Sequence, residues 1–305
     1  DLIGDQTPPY AIISHTWGPD DEEVTFQELI TGASKQKIGY AKIQRCGEQA
    51  LQDGLQYFWI DTCSIDKLSS AELSEAINSM FKWYQRANVC YVYLSDVTAE
   101  KNPSWILPSD EHLEEDEQAR LENSSFAKSR WFTRGWTLQE LLALKQIQFF
   151  DRNWTRLGNL KDLLAAVVHI TKIDKNVLDM TQGWFLSDIC IARRLSWAAK
   201  RQTTRIEDQA YCPMGIFNVR MPLLYGEGAH AFVRLQEEIL KNTDNDSFLA
   251  WDVPSHIDRE TDRRYERLLA PSPACFEGGN KLIKTVLADQ DQPWSMSNLG
   301  LTITM

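Results

Sequence analysis

The order of predicted elements indicates an α/β protein built on a doubly wound parallel sheet flanked by helices. Four short apolar runs, at residues 10–14, 55–61, 89–95 and 147–150, each have the character of a buried strand. Segments whose apolar residues recur at helical spacing separate them. Crossovers of helical length join parallel strands, so this alternation predicts parallel pairing with helices on both faces.

The first two strands are each expected to end in a polar loop. The first strand, residues 10–14, should be followed by a loop at residues 15–18 and then by two amphipathic helices. Gly54 should end the second of these helices. The second strand, residues 55–61, is nearly continuously apolar, which predicts cover on both faces. Its loop should span residues 61–67.

The next helix and an acidic segment complete the predicted core. Ser69 and Glu72 have the spacing of a capping box at the start of the third amphipathic helix. Residues 98–126 carry prolines and an acidic run, which predicts a surface insertion with one solvated helix. A turn and helix at residues 129–142 then lead into the last strand.

Beyond the core the pattern becomes mostly helical. We therefore predict a core domain over residues 1–155 and a helical extension over residues 156–305, packed on the core and ending in a small β element. Helices are predicted at residues 160–170, 195–199, 203–208 and 232–240, and strands at residues 282–286 and 301–304.

Composition excludes several classes of function. The net charge of −11 argues against a nucleic-acid binder, and no apolar run reaches the roughly 20 residues of a membrane span. The six cysteines are scattered without ligand spacing, which predicts reduced thiols in a cytoplasmic protein and no metal site. No glycine-rich phosphate loop is present, so we expect no bound nucleotide cofactor of the Rossmann or P-loop kind.

Three sequence blocks resemble a known family. Residues 10–18, 59–67 and 134–142 resemble the signature blocks of the fungal heterokaryon-incompatibility (HET) domain, and residues 203–211 and 221–228 resemble the extension that follows it. The resemblance implies a fungal intracellular protein that triggers programmed cell death when genetically different hyphae fuse. Some relatives carry this domain ahead of a nucleotide-binding oligomerisation module and a repeat sensor. The chain stops within a predicted strand, which agrees with such a fusion.

A weaker resemblance, to the TIR domain, bears on mechanism. The pattern Trp136-x-Leu138-x-Glu140-Leu141 is similar to the helix of TIR domains whose glutamate is needed to cleave NAD. The resemblance implies a TIR-like (flavodoxin-like) sheet, Glu140 as the catalytic residue and NAD, or a related dinucleotide, as the substrate. The chain departs from the pattern at Thr137, where TIR domains often have cysteine, and in its long acidic insertion.

The residue types suit this reaction. Cleavage of NAD breaks an N-glycosidic bond through an oxocarbenium-like state, which a carboxylate stabilises. Trp136 and Glu140 stand four apart, so both lie on one face of the predicted helix. Ligands of doubly wound sheets bind outside the carboxyl ends of the strands. The candidate binding residues at these ends and at the helix start are Ser14, His15, Trp17, Gly18, Asp61, Cys63, Asp66, Lys67, Arg134 and Trp136.

Structural alternatives exist for most of these residues. Glu140 could form an ion pair with Arg134, the tryptophans could fill the core, and Asp61 and Asp66 could cap turns. Cys63 could act as a nucleophile, although no partner base can be named. Two functions therefore stay open at the level of sequence. One is an NAD glycohydrolase that acts after self-association, and the other is a non-catalytic module that oligomerises and recruits an effector.

Overall fold

The computed structural model describes most of the chain. The described residues are 7–107, 114–144, 146–179, 186–243, 245–254, 268–283, 295–297 and 300–302. The chain divides into two compact units, Asp1–Phe132 with Glu140–Ile170 and Thr133–Gln139 with Thr171–Met305. The predicted domain boundary at residue 155 stays a prediction, as does the packing of the extension on the core.

A five-stranded, mostly parallel sheet forms the centre of the first unit, as predicted for an α/β protein. Its strands are β1 (Tyr10–His15), β2 (Tyr57–Trp59), β3 (Val89–Tyr93), β4 (Ile147–Phe150) and β5 (Arg156–Asn159). The order is β2-β1-β3-β4-β5, with β1 to β4 parallel and β5 antiparallel to β4. β5 was not predicted, because its polar and glycine-containing sequence lacks an apolar pattern.

Helices precede, separate and follow these strands. They are α1 (Phe26–Thr31), α2 (Ile38–Gln52), α3 (Asp61–Ser64), α4 (Ser70–Arg86), α5 (Glu115–Asn123), α6 (Arg130–Thr133), α7 (Thr137–Ala143) and α8 (Leu164–Thr171). α2 ends two residues before Gly54, which has the positive φ of 77° that glycine tolerates. The predicted polar loop after β2 instead begins with the short helix α3.

The predicted cover of the second strand on both faces is wrong. β2 has only three residues and lies at the edge of the sheet, with β1 as its neighbour. Tyr57 is 47% exposed and Phe58 is 38% exposed. Aromatic residues favour strands whether or not both faces are covered, so their enrichment does not distinguish an edge strand from a buried one.

The start of α4 carries half of the predicted capping box. The Ser69 hydroxyl accepts the Glu72 N–H at 3.2 Å, which confirms the N-cap. The Glu72 carboxylate does not reach back to Ser69. It accepts the Asp66 N–H at 2.9 Å and so fixes the preceding turn.

The two faces of β1 have different surroundings. Ile13 belongs to a buried cluster with Tyr91 of β3 and with Cys46 and Ala50 of α2. Successive side chains of a strand point to opposite faces of the sheet. Ser14 therefore lies on the face opposite the α2 cluster.

Aromatic side chains anchor the described part of residues 98–126 in the first unit. Trp105 is 1% exposed and stacks on Phe126 with ring centroids 5.5 Å apart. Phe126 in turn meets Phe149 of β4 edge-on at 5.8 Å, and Leu121 of α5 is fully buried. The described part of this segment contains the predicted helix, and most residues of α5 are exposed, as predicted; the buried side chains of Trp105, Leu121 and Phe126 attach the segment to the first unit.

Among the described residues of the second unit, the secondary structure is mostly helical and includes a small β element, as predicted for the chain beyond the core. Its α-helices are α9 (Lys175–Asp179), α10 (Ile191–Ser196), α11 (Asp208–Tyr211) and α12 (His230–Leu240). Its 3₁₀ helices are Leu186–Asp188, Met214–Phe217, Asp246–Leu249 and Pro273–Lys281. Its strands are β6 (Ser295–Ser297) and β7 (Gly300–Thr302). β6 and β7 pair antiparallel.

Several predicted boundaries after residue 155 were wrong. α8 begins at Leu164 rather than at residue 160, and α10 ends at Ser196 rather than at residue 199. The helix predicted to begin at Thr203 begins at Asp208, and the neighbouring Gln202 pairs with Arg134 in an isolated parallel β-bridge. Residues 282–283 form no strand, and the remainder of that predicted strand lies outside the described residues.

Two adjacent glycines provide a test of packing in the second unit. A Cβ added at Gly279 would lie 2.5 Å from the carbonyl oxygen of Ala192, whereas one added at Gly278 would meet nothing within 4 Å. We expect Gly279→Ala to lower the free energy of unfolding by about 1–3 kcal/mol through overpacking. Gly278→Ala, the matched control, should change it little. Urea denaturation would measure both, and equal effects would contradict the close approach of Gly279 to Ala192.

Candidate functional site

A buried carboxylate and a serine hydroxyl meet at the carboxyl end of β1. Ser14 is fully buried, and its hydroxyl donates a hydrogen bond to Oε2 of Glu140. Its oxygen also accepts the indole N–H of Trp131 at 2.7 Å. Glu140, on α7, is 6% exposed. The structure therefore brings together two residues that the sequence predicted for one site.

Tyr84 lies beside the same carboxylate. Its hydroxyl donates to the carbonyl oxygen of Ile13 at 2.8 Å. Burial raises the pKa of Tyr84 well above its usual range, and the negative charges of Glu140 and Asp61 raise it further. The phenol therefore stays neutral, and it lies within electrostatic reach of both carboxylates.

A second group of predicted residues surrounds Asp61 at the start of α3. The Trp17 indole N–H donates to Oδ2 of Asp61 at 2.8 Å, and Nδ1 of His15 lies 3.8 Å from Oδ1. The Lys67 ammonium lies 3.6 Å from the centre of the Trp17 ring, a cation–π contact. Desolvation lowers the pKa of Lys67, and the negative charge of Asp61 opposes this shift. This group combines a carboxylate, an aromatic ring and a cation.

Gly18 and Asp66 have structural partners. The Gly18 N–H donates to Oε1 of Glu23 at 2.8 Å, and the same carboxylate pairs with Lys42 at 2.8 Å. Asp66 accepts the Leu68 N–H at 3.0 Å and so closes the turn before α4. Both predicted binding residues thus shape the loops around the Asp61 group.

Arg134 and Trp136 belong to the second unit. The Trp136 indole N–H donates to Oδ2 of Asp208 at 3.3 Å, and Asp208 also accepts the Tyr225 hydroxyl at 2.9 Å. Burial raises the pKa of Asp208, and its hydrogen bonds to Tyr225 and Trp136 lower it. The Arg134 carbonyl accepts a hydrogen bond from the Arg201 guanidinium at 2.9 Å. The predicted roles of Trp136 as an aromatic shelf and of Arg134 as a diphosphate ligand stay predictions.

Comparison with known proteins identifies the domain that holds the first two groups. Residues 10–140 match the model of the family described as Heterokaryon incompatibility protein (HET). The chain carries a HET domain. The matched range contains Ser14, Asp61, Trp131 and Glu140, so the contacts among them lie within the HET domain.

One curated relative extends this similarity. The chain is 46% identical over 248 residues to the Vegetative incompatibility protein HET-E-1 of Podospora anserina. The aligned part covers 79% of this chain but only 17% of that protein. No solved structure matches the chain. None of the helices within the described residues has the length and apolar character that crossing a membrane requires.

The sequence analysis did not identify two residues of the HET domain site. Trp131 and Tyr84 are buried, and each uses its polar atom in a hydrogen bond. A buried indole N–H or phenol hydroxyl usually has a hydrogen-bond partner. From the sequence, only this general rule indicates that the two side chains make polar contacts. The sequence alone could not identify the partner, because Trp131 and Ser14 are 117 positions apart.

The thiol of Cys63 can be tested as a nucleophile. Burial, with a smaller contribution from the negative charge of Asp61, raises the pKa of Cys63 to about 11. Little thiolate therefore exists at pH 8, and we expect iodoacetamide to alkylate Cys63 far more slowly in the native protein than in denaturant. Peptide mapping by mass spectrometry would measure both rates. Equal rates would contradict the buried, protonated thiol and would favour the nucleophile hypothesis.

Proposed function

We propose that this chain is a vegetative (heterokaryon) incompatibility protein whose HET domain triggers programmed cell death. We further propose that it acts as an NAD glycohydrolase, releasing nicotinamide and ADP-ribose after self-association. The family match and the name of the relative support the incompatibility role. The strand order β2-β1-β3-β4-β5 is that of flavodoxin-like sheets, although β5 is antiparallel, and it supports a TIR-like core.

The observation that carries the enzymatic proposal is the buried carboxylate of Glu140 at the carboxyl end of the sheet. In NAD the nicotinamide is cationic and leaves with the electrons of the glycosidic bond as a neutral base. Positive charge then develops on the ribose until water adds to the same carbon and loses a proton. A fixed carboxylate in a water-poor site stabilises that charge. A single group of this kind lowers the activation free energy by about 3–4 kcal/mol.

The other predicted residues suit the remainder of the substrate. Ser14 and Asp61, at the ends of adjacent strands, have oxygens that can hold the ribose hydroxyls. Lys67, which lies over Trp17, offers a cation for the diphosphate. Under this proposal NAD is the substrate and no further cofactor takes part.

The wider context is also proposed from the resemblance. We place the protein in the cytoplasm, with self-association as the event that switches on activity. A fused nucleotide-binding oligomerisation module and a repeat sensor would supply the control of that event. The limited share of the relative that this chain spans leaves room for such parts.

A second candidate function is a non-catalytic module that oligomerises and recruits an effector. The burial of Glu140 and Ser14 favours it, because a buried hydrogen bond between α7 and β1 serves as an anchor without any substrate. The two functions differ in whether the charge of Glu140 is needed beyond folding.

A matched pair of carboxylate variants separates these functions. Glu140→Gln keeps the shape of the side chain and removes its charge. Asp53→Asn makes the same change at a carboxylate that accepts the Tyr91 hydroxyl at 2.7 Å, and Tyr91 lies on the sheet face opposite Ser14. When each form is induced in a fungal host, we expect wild type and Asp53→Asn to lower cellular NAD and to kill. Glu140→Gln should slow NAD loss by about 100-fold or more and should spare the cells.

The comparison separates the two functions only if wild type and both variants fold and are expressed to the same extent. The amount of soluble protein and the midpoint of thermal unfolding provide that control. If folded Glu140→Gln kills while NAD stays constant, the glycohydrolase proposal fails and the non-catalytic module is favoured.

A further inference from the structure

We infer that Trp131 is a positioning residue of the HET domain site, because its indole N–H fixes the Ser14 hydroxyl so that its single proton points at Glu140. The chemical role of Glu140 in this inference rests on the proposed function. The hydrogen bonds of Ser14 with Trp131 and Glu140 do not rest on the proposed function.

The direction of the Ser14 hydroxyl follows from the partners of its oxygen. A serine hydroxyl has one proton and two lone pairs, whereas an indole N–H can only donate. Because Oγ of Ser14 accepts the Trp131 N–H at 2.7 Å, its own proton is directed to the Glu140 carboxylate. Without the indole donor, the hydroxyl would be free to rotate away from that carboxylate.

The Trp131 ring is itself held firmly. The residue is 1% exposed and meets Phe132 edge-on at 5.0 Å and Phe149 of β4 edge-on at 5.7 Å between ring centroids. Edge-to-face pairs of this kind have a preferred geometry, so the ring has a defined orientation. The N–H therefore has a fixed direction in relation to β1.

The helix that carries Trp131 is fixed to the end of β3. Asp96, shortly after β3, accepts the Ser129 hydroxyl at 2.7 Å and the Arg130 N–H at 2.8 Å with its two carboxylate oxygens. Charge-assisted bonds to a helix start are stronger than neutral ones. The direction of the Ser14 hydroxyl thus depends on a series of hydrogen bonds from the end of β3 through α6 and Trp131.

Trp105 is a matched tryptophan in the same unit. It is also 1% exposed and also packs on an aromatic ring, that of Phe126. Its indole nitrogen has no hydrogen-bond partner among the residues that the structure describes. Replacement of either tryptophan by phenylalanine removes similar packing, but only the change at Trp131 removes a described hydrogen bond to Ser14.

The kinetic test compares these two variants in the full chain. Nicotinamide release would be followed over a range of NAD concentrations for wild type, Trp131→Phe and Trp105→Phe. We expect Trp131→Phe to lower kcat by about 10-fold with little change in KM, because misplacement of a catalytic group lowers the reaction rate by up to about 100-fold. Trp105→Phe should change neither constant. An unchanged kcat in Trp131→Phe, or equal losses in both variants, would overturn the inference.

A second measurement does not need activity. In the ¹⁵N-labelled protein, the indole proton resonance of Trp131 should move upfield in Ser14→Ala because its acceptor is lost, while that of Trp105 should stay in place. A Trp131 resonance that does not move would overturn the inference, even if Trp131→Phe fails to fold. If self-associated wild type releases no nicotinamide, the proposed function fails, and the resonance comparison alone decides whether Trp131 fixes Ser14.

Discussion

The hydrogen bond from Ser14 to Glu140 joins two residues that are 126 positions apart, and it connects the carboxyl end of β1 to α7. A buried carboxylate is costly unless donors surround it. The parallel sheet provides one donor by placing Ser14 at the last position but one of β1, and α6 supports that donor through Trp131. The HET domain thus places a carboxyl group in its interior, at the sheet edge where α/β proteins bind ligands.

This arrangement bears on the choice between an enzyme and an interaction module. Replacement of a buried charged group by a well-packed apolar one is often neutral or stabilising, so anchoring α7 to β1 would not by itself call for a carboxylate. A charge in a water-poor site is, however, what stabilisation of an oxocarbenium-like state requires. The neighbouring Asp61 group, with Trp17 and Lys67, adds the hydroxyl acceptor and the cation that a dinucleotide needs under the proposed function.

The sequence predicted the parts of the fold that local patterns encode and missed those that depend on distant partners. Apolar runs and loop residues located β1, β3 and β4, and through them the meeting of Ser14 with Glu140. The edge position of β2 was missed because aromatic residues favour edge and central strands alike. The contacts of Trp131 with Ser14 and of Trp136 with Asp208 were missed because each joins residues far apart in sequence.

The central claim, that this chain cleaves NAD on self-association, is tested most directly by product analysis of the purified protein. Incubation with NAD at increasing protein concentration, with chromatography of the products and light scattering to follow assembly, would measure it. The account predicts nicotinamide and ADP-ribose in equal amounts, with a rate per molecule that rises as the protein associates. Absence of nicotinamide at concentrations where light scattering detects assembled protein would contradict it.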